Sequence, residues 1–517
     1  MDDVRPRDSL GPMKHTSITL SLVAGVMLTG MAAPQGQLDF TARARAIHDR
    51  VIALDTHNDI DPQNFTAECN YTMRLTTQVN LPKMKEGGLD VSFFIAYVGQ
   101  GDLTPAGYEN AYRAAIAKFD AVHRLTEQIA PNEIELALSS ADVLRIAKSG
   151  KKVAVIGIEN GYPLGTDIKR VKEFYDRGGR YMSLAHNGHN QLADSHTGEA
   201  GNEWKWGGVS PLGRQVIQEM NRLGMMIDVS HPSKASILQA IGLSRAPVIA
   251  SHSSVRKLAN QTRNMDDEML MAMKTNGGVV QINAVADFIK TDPKERAPAI
   301  ATLRDEFGLT GGRGGGAGRG AGRGTAAPAA YKCPVETAAA PGAGAGRGGR
   351  GATGPESLAA GRRAEFERRM AQIDRQWPAA GRATVKDYVD HIDYAVKLIG
   401  IDHVGIASDF DGGGGVDGWN SSAESFNVTL ELVRRGYTEE QIAKIWSGNL
   451  LRVWSEAEKV AKEIQSGTPV FPAEDTGSPQ SISRPLQTLG PRDRSRHQSS
   501  TPGDIADSRP GIVSRQM

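Results

Sequence analysis

The stretch Val51-Ile-Ala-Leu-Asp-Thr-His-Asn-Asp59 decides how the rest of the chain is interpreted. Residues Val51 to Leu54 form a short apolar run without a helical period, which is typical of a buried strand. His57 and Asp59 follow this run. Side chains two residues apart in an extended chain point the same way, so this imidazole and this carboxylate are expected to project together as a potential metal-binding pair. Alone, the pair proves little, because a histidine near a strand end more often has a structural role.

Strand-like and helix-like segments alternate along the rest of the chain. Eight short apolar segments are predicted to be strands: 51–54, 89–97, 153–158, 181–185, 225–230, 247–251, 279–283 and 404–408. The helices predicted between and after them are 107–129, 140–148, 167–177, 210–223, 233–241, 266–275, 385–399, 422–435 and 439–464. This alternation predicts an α/β fold, a (β/α)8 TIM-like barrel with parallel strands.

Six of the predicted strands are followed at once by side chains that can bind a metal ion. These side chains are His57 and Asp59, Glu159, His186, His231, His252 and Asp409. The carboxyl ends of the strands in such a barrel converge on one mouth, where we expect these groups to meet. Each position alone is better explained as structural, but six equivalent placements argue against chance. The barrel is therefore interpreted as one of the metal-dependent hydrolase type.

The donor atoms narrow the choice of metal. Imidazoles and carboxylates without thiolates suit Zn²⁺, with Mn²⁺ or Co²⁺ as substitutes. The set suffices for two ions if one carboxylate bridges them, and Glu159 is the natural bridge. A pair of ions lowers the pKa of a water molecule between them and polarises a carbonyl, which is hydrolase chemistry. His186 and Asp409 then remain as candidate acid, base or oxyanion-stabilising groups.

Composition argues against several other functions. The 517 residues include 60 lysines and arginines against 59 aspartates and glutamates, so no nucleic acid or anionic membrane is expected as a partner. Two cysteines, Cys69 and Cys333, are too few for a disulfide scaffold or a thiolate metal cluster. They could pair with each other, but Cys333 lies in a glycine-rich stretch, so free thiols are at least as good an expectation.

We place the barrel domain at residues 36–465, with an insertion at 311–355 that does not belong to the barrel itself and with two segments, 1–35 and 466–517, outside the domain. Residues 1–35 contain a charged and then an apolar segment that ends in small residues, the order of a secretory signal peptide, so we expect a periplasmic or secreted protein. Residues 311–355 are mainly Gly, Ala, Arg and Pro, and residues 466–517 are rich in Pro, Ser and Arg. Both have few large apolar side chains and are predicted to be disordered.

Eight motifs carry a resemblance to a known family. They are ALDTHNDI at 53–60, GIENGYPLG at 157–165, RYMSLAHNGHNQLADS at 180–195, GMMIDVSHPS at 224–233, VIASHSSVR at 248–256, TRNMDDEML at 262–270, HVGIASDFDG at 403–412 and GNLLRV at 448–453. With them the chain resembles the membrane (renal) dipeptidases, peptidase family M19, over roughly residues 40–464 apart from the insertion. The resemblance implies a distorted β/α barrel and a binuclear zinc dipeptidase that cleaves dipeptides and forms a homodimer.

The resemblance also implies a role for each site residue. His57, Asp59 and the bridging Glu159 would hold one of two Zn²⁺ ions per subunit, and Glu159, His231 and His252 would hold the other. A hydroxide bridging the ions would attack the dipeptide carbonyl. His186 would steady the oxyanion, Asp409 would pass a proton to the leaving amine, and Arg263 would bind the terminal carboxylate of the substrate.

The chain departs from the family at two points, and two other functions stay open. Phe288 stands where the family can carry a tyrosine, and the polar carboxyl-terminal segment has no hydrophobic end for a lipid anchor, so no anchored form is expected. A barrel hydrolase acting on lactones, cyclic amides or phosphoesters would share the strand-end ligands, although such enzymes often use H-x-H and a modified lysine. The other alternative is an exported binding protein with an inactive site.

Overall fold

The protein is described here from a computed structural model, over residues 35–309, 331–336 and 355–467. The predicted signal peptide, most of the glycine-rich insertion and nearly all of the predicted carboxyl-terminal tail lie outside these residues. The predictions made for those three segments therefore remain predictions.

A parallel sheet curls into a nearly closed barrel, which confirms the predicted α/β barrel. The strands are β1 (Leu54–Asp59), β2 (Val91–Tyr97), β3 (Ile134–Leu136), β4 (Lys152–Glu159), β5 (Gly179–Ser183), β6 (Met226–Asp228), β7 (Ile249–Ala250), β8 (Val279–Asn283) and β9 (Val404–Ala407). Eight of them follow the order β1-β2-β4-β5-β6-β7-β8-β9, and β3 pairs with β4 outside this path. A single bridge between Asn58 and Phe410 joins β1 to the segment after β9.

Helices surround the strands, and most lie close to the predicted positions. They are α1 (Gln35–His48), α2 (Leu81–Gly87), α3 (Pro105–His123), α4 (Ser140–Lys148), α5 (Lys169–Asp176), α6 (Pro211–Leu223), α7 (Lys234–Leu243), α8 (Asp267–Asn276), α9 (Ala286–Ile289), α10 (Arg296–Glu306), α11 (Ala360–Gln376), α12 (Val385–Ile399), α13 (Phe426–Arg434), α14 (Glu439–Ala443) and α15 (Asn449–Gln465). None of these helices has the length and apolar character that a membrane span requires.

Local chemistry explains where the helices begin and end. Ser210 caps α6 by accepting a hydrogen bond from the backbone of Gly213, and Thr384 forms a capping box with Asp387 at the start of α12. Gly224 ends α6 in the left-handed conformation, which glycine adopts without a steric penalty. These turns return the chain to the amino end of the next strand and so keep the strands parallel.

Apolar side chains fill the amino-terminal half of the barrel interior. One buried cluster joins residues of seven strands to the last helix: Leu54, Val91, Phe93, Val153, Val155, Tyr181, Met226, Ile249, Val279 and Trp454. The ring of Phe93 lies 5.6 Å from that of Tyr181 and 6.2 Å from that of Trp454. Because Trp454 belongs to α15, this helix covers the amino end of the barrel. Burying each large side chain of this kind stabilises the fold by about 1.5–3 kcal/mol.

A β-bulge in β1 changes which of its side chains face the interior. Leu54 pairs with Val91 and Asp59 pairs with Ile95, so five steps along β1 match four along β2. Val91 and Ile95 are on the same face of β2, and both belong to the interior cluster. The extra residue therefore brings both Leu54 and Asp59 to the interior face, with His57 two residues before Asp59 on the same side.

The position of β1 corrects the sequence analysis. The strand was predicted at residues 51–54 with His57 and Asp59 beyond it, but it runs from Leu54 to Asp59 and includes both. The apolar pattern misplaces the strand because its second half is polar yet buried. Thr56, for example, donates from its hydroxyl to the carbonyl of Ser251 at 2.7 Å.

Residues 331–336, which we call the strap, are the described part of the insertion between β8 and β9. Val335 forms an antiparallel bridge with Leu75, and Cys333 is joined to Cys69 by a disulfide. Glu336 makes ion pairs with Lys83 at 2.5 Å and with Arg74 at 2.8 Å. Of the two alternatives left open for the cysteines, the structure has the disulfide, and the strap is fastened beside the loop that follows β1.

Candidate metal centre

All seven predicted strand-end groups lie at the carboxyl end of the barrel and meet closely. Three sets of three residues have potential ligand atoms within 4.8 Å of one another: His57, Glu159 and His252; Glu159, His186 and His231; and His57, Asp59 and Asp409. Each set shares a residue with another, so the three form one continuous cluster. Six strands thus deliver the donors, as the sequence predicted.

Glu159 lies at the middle of this cluster with its two oxygens facing different histidines. Its Oε2 lies 3.5 Å from Nε2 of His57, whereas its Oε1 lies 2.9 Å from Nε2 of His231 and 3.3 Å from Nε2 of His252. Nε2 of His186 is 3.4 Å from the same Oε1. A carboxylate that presents one oxygen to each of two groups of donors has the geometry of a bridging ligand.

The second nitrogen of each candidate ligand histidine is held by a neighbour. Nδ1 of His57 lies 3.0 Å from the hydroxyl of Tyr181, and this hydroxyl donates to the carbonyl of Thr56 at 3.0 Å. Because the hydroxyl has one proton, it accepts from Nδ1–H of His57. In the neutral form of His57 this leaves the lone pair on Nε2, toward Glu159. Gly157 makes room for this tyrosine, since a Cβ there would lie 2.3 Å from its ring.

His252 and His231 are oriented in the same way. Oγ of Ser251 lies 2.7 Å from Oδ2 of Asp228 and 2.7 Å from Nδ1 of His252, so it donates to the carboxylate and accepts from the imidazole. Nδ1 of His231 donates to Oδ1 of Asn187 at 3.2 Å. All three candidate ligand histidines therefore direct Nε2 into the cluster, as partners of metal-binding histidines normally arrange.

Unsatisfied atoms show that the cluster fits a cation. Nε2 of His57 and Oδ1 of Asp59 are buried and have no hydrogen-bonding partner among the described residues. Nε2 of His231 and Nε2 of His252 lie 3.0 Å apart, both with the lone pair that their neighbours impose. Buried polar atoms without partners cost about 1–3 kcal/mol each, and a divalent ion would remove this cost. The nitrogen and oxygen donors suit Zn²⁺.

The carboxylates and histidines shift one another's pKa. Burial alone would lower the pKa of His57, but the negative charges of Glu159, Asp409 and Asp59 outweigh it and raise the pKa to about 9. Burial and repulsion from Glu159 raise the pKa of Asp59 to about 7. For Glu159, burial opposes ionisation, but the charges of His186 and His57 and hydrogen bonds from His231 and His252 hold its pKa well below the usual value. The bridging carboxylate is thus ionised.

Two residues of the cluster adopt a backbone conformation that is unusual for side-chain-bearing residues. His231 has φ of 79° and Asp409 has φ of 59°. Both lie in the left-handed region, which costs about 1–2 kcal/mol for a residue other than glycine. Gly412 faces the same crowded place, since a Cβ there would lie 2.3 Å from Oδ1 of Asp409 and 2.4 Å from Oδ2 of Asp59. The turns after β6 and β9 hold these side chains in the cluster despite the strain.

Two further predicted residues, Arg263 and Phe288, lie around the cluster, and Asp409 lies within it. Arg263 is buried and donates to Oγ of Ser253 at 2.8 Å and to the carbonyl of His252 at 2.7 Å. Its Nε has no hydrogen-bonding partner among the described residues. Phe288 lies over this guanidinium, with the ring centroid 5.8 Å from its central carbon, in the place expected of a tyrosine. Asp409 accepts from Nδ2 of Asn283 at 2.9 Å, and burial raises its pKa.

Sequence reasoning missed the residues that hold the ligand candidates. Tyr181, Asp228, Ser251 and Asn187 were not predicted to be functional. Asp228 and Ser251 stand in or beside the predicted strands, so a polar residue inside an apolar run was the signal that could have found them. His189 and His196, in the loop after β5, do not belong to the cluster.

Comparisons with known proteins agree with this geometry. The family model described as membrane dipeptidase, peptidase family M19, matches residues 41–468. Dipeptidase tcpJ of Claviceps purpurea is 28% identical over 405 residues, which cover 77% of this chain and 74% of that protein. Dipeptidase aclJ of Aspergillus oryzae is 27% identical over 475 residues, which cover 88% of this chain and 91% of that protein.

Solved structures show the same likeness. The probable dipeptidase PvdM from Pseudomonas aeruginosa is 30% identical with a TM-score of 0.63, over 82% of this chain and 100% of that chain. A metallo peptidase from Rhodobacter sphaeroides, liganded with a phosphinate mimic of the dipeptide L-Ala-D-Ala, is 19% identical with a TM-score of 0.54, over 79% of this chain and 99% of that chain. This second structure supports the fold alone.

Proposed function

Since the chain belongs to the membrane dipeptidase family, peptidase family M19, we propose that it is a binuclear zinc dipeptidase that hydrolyses the peptide bond of dipeptides. The observation that carries the proposal is Glu159, whose oxygens face His57 on one side and His231 and His252 on the other. His57, Asp59 and Glu159 would hold one Zn²⁺ ion, and Glu159, His231 and His252 the other. When bound, the pair would supply an activated hydroxide at neutral pH and polarise the carbonyl under attack.

The remaining residues of the site act on the substrate. Arg263 binds the carboxylate of the dipeptide, because a buried guanidinium with an unsatisfied Nε favours an anion in the same cavity. His186 donates from Nε2 to the oxygen that becomes negative, and burial lowers its pKa, so the imidazole is neutral at pH 7. Asp409 carries a proton to the leaving amine, a task that its raised pKa favours.

We also propose that the protein works outside the cytoplasm as a homodimer. The apolar segment within residues 1–35 supports export, and the disulfide between Cys69 and Cys333 suits an oxidising compartment. Fractionation of cells expressing the full chain, with detection of a shortened mature form outside the cytoplasm, tests export. Sedimentation of the purified protein tests the dimer.

A dipeptide assay with metal analysis tests the activity. Purified protein is assayed on a panel of L,L and L,D dipeptides, on a lactone and on a phosphoester, before and after treatment with a chelator, and metal per subunit is measured. We expect hydrolysis of dipeptides that the chelator abolishes and added Zn²⁺ restores, with two ions per subunit. Cleavage of the lactone or phosphoester alone would favour the other barrel hydrolases, and a protein without metal or activity would refute the proposal.

Arg263→Lys separates substrate binding from chemistry. Lysine keeps the charge but loses the fork that grips a carboxylate with two hydrogen bonds. We expect KM to rise about tenfold or more while kcat changes less, the loss expected of a charge-assisted hydrogen bond. Equal KM in the variant and the natural protein would show that Arg263 does not bind the carboxylate.

A further inference from the structure

The strap forms one wall of a cavity that begins at the metal centre. The cavity has a volume of about 430 Å³, and its lining includes Asp59, Asp61, Tyr331, Lys332, Pro334 and Asp411. Asp59 belongs to the metal centre as well, so the cavity lies beside the candidate metal site. Strap residues Tyr331, Lys332 and Pro334 face the loop that follows β1 across this space.

The strap is held in place, so its side chains form a defined wall. The disulfide of Cys333 with Cys69 fixes its middle, and the backbone N–H of Thr76 donates to the carbonyl of Pro334 at 2.6 Å. Glu336 pairs with Lys83 and Arg74 at its end, and Tyr331 donates to the side chain of Asn64 at its start. Ordered neighbours of this kind position a recognition residue at low entropic cost.

The direction of a bound dipeptide assigns the cavity to one end of the substrate. Arg263 contacts His252 and Ser253 beyond β7, whereas Asp59 ends β1, three strand positions around the barrel. With the substrate carboxylate at Arg263 and the scissile carbonyl at Glu159, the amino-terminal residue lies toward Asp59. Its side chain then points into the cavity that the strap closes.

The charges in the cavity decide which side chain it favours. The oxygens of Asp411 accept the backbone N–H groups of Gln78 at 3.0 Å and Val79 at 3.4 Å, so this carboxylate is engaged in holding its neighbouring loop. Asp61 is exposed near the metal centre and suits the ammonium group of the substrate. Lys332, on the strap, is the cation among the residues that line the cavity.

We propose that the strap makes this cavity the subsite for the side chain of the amino-terminal residue, and that Lys332 selects acidic side chains over basic ones. The inference rests on the proposed dipeptidase function and names a substrate class for it, dipeptides with amino-terminal glutamate or aspartate. Lys332 acts by charge, and Tyr331 and Pro334 limit the space around the bound side chain.

Competing dipeptides test the assignment. We compare kcat/KM for Glu-Ala and Lys-Ala, with the alanine enantiomer that the panel above shows to be cleaved, in the natural protein, Lys332→Ala and Lys332→Glu. The ratio of Glu-Ala to Lys-Ala is expected to exceed one in the natural protein. It should fall about threefold in Lys332→Ala, as for an exposed ion pair, and about tenfold in Lys332→Glu, where repulsion is added. Lys294→Glu, with a side chain 90% exposed, serves as the matched charge reversal and should leave the ratio unchanged.

Two outcomes would overturn the assignment. One is a ratio below one in the natural protein, and the other is a ratio that is the same in Lys332→Glu and Lys294→Glu. Ala-Ala cleavage by the natural protein, with and without chelator, reports separately on the proposed function. If Ala-Ala is cleaved by a metal-dependent reaction and the ratio does not respond to Lys332, only the subsite assignment fails.

Discussion

The two ends of the barrel interior obey different rules. At the amino end, Val91, Val153 and Phe93 alternate regularly with outward residues and pack beneath α15. At the carboxyl end, a bulge, left-handed residues and buried charges replace regular alternation and apolar packing. Evenly packed apolar layers stabilise a fold, whereas strained polar groups cost stability and persist where the surrounding structure holds them. We conclude that the regularly packed amino end of the barrel stabilises the strained carboxyl end.

The largest expected effect comes from the bridging carboxylate. Glu159→Gln removes the charge that faces four histidines, so we expect both metal positions to weaken and kcat/KM for a cleaved dipeptide to fall by a factor on the order of 10³ or more. Metal per subunit and activity are measured on the same sample. Because the histidines that depress the pKa of Glu159 also make its charge stabilising, the metal-free variant should be somewhat less stable than the metal-free natural protein, and circular dichroism shows whether it stays folded. Two retained ions and normal activity would contradict the bridging role.

The opposite end should respond in stability rather than in chemistry. Phe93→Ala deletes a ring between Tyr181 and Trp454, and such deletions cost about 3–5 kcal/mol. Urea unfolding of the metal-free protein gives the free energy, and activity is measured on the fraction that remains folded. The folded fraction should bind metal with the affinity of the natural protein. A small change in affinity is expected only if Tyr181, which contacts both Phe93 and His57, moves. A loss of activity without a loss of stability would show that the amino end of the barrel contributes to the chemistry and does not serve stability alone.

Ser251 sharpens the contrast, because it positions a ligand without binding the metal itself. Ser251→Ala removes the hydroxyl between Asp228 and His252, and lost partners of this kind weaken metal binding by about 10–100-fold. Zinc titration against a competing chelator measures the affinity, and Ser251→Thr should restore most of it. Ser425→Ala is the control, since Ser425 is equally buried but accepts from Trp419 instead. Equal zinc affinities for Ser251→Ala and Ser425→Ala would show that the hydroxyl between Asp228 and His252 does not position His252.

The smallest expected effect is a change in pH dependence, at a buried histidine outside the metal centre. Neighbouring carboxylates raise the pKa of His57 to about 9, but burial lowers the pKa of His48, which bonds Thr429 and the carbonyl of Gly87. The folded state therefore resists protonation of His48, so its contribution to stability is complete above the unfolded pKa of about 6.5 and is lost as the pH falls. Urea unfolding between pH 7.5 and 5 should show a shallower loss for His48→Gln. A steeper loss of stability in His48→Gln would show that folding does not lower the pKa of His48.

The sequence predicted the barrel because its strands are apolar and regularly spaced. It also predicted that the seven strand-end groups meet, because the carboxyl ends of the parallel strands in a barrel all lie at the same end. It misplaced β1, because a strand with a polar, buried second half does not show the apolar alternation on which the prediction rests. The bulge that turns His57 inward depends on pairing between distant segments, and no local pattern reports it. Ser251 was visible as a polar residue in an apolar run, but its contact with Asp228 depends on packing between two strands that the sequence does not report.

The position of α15 also bears on when the protein can fold during synthesis. Leu54 and Trp454 meet in one cluster although nearly the whole described chain separates them. The ribosome therefore synthesises almost the entire barrel before α15, which covers its amino end, is available. Until then the apolar side chains at that end stay exposed. Contacts so distant in sequence form slowly, and the waiting chain is the state in which apolar strands aggregate. A nascent barrel of this kind would benefit from a chaperone that holds it until its last helix emerges.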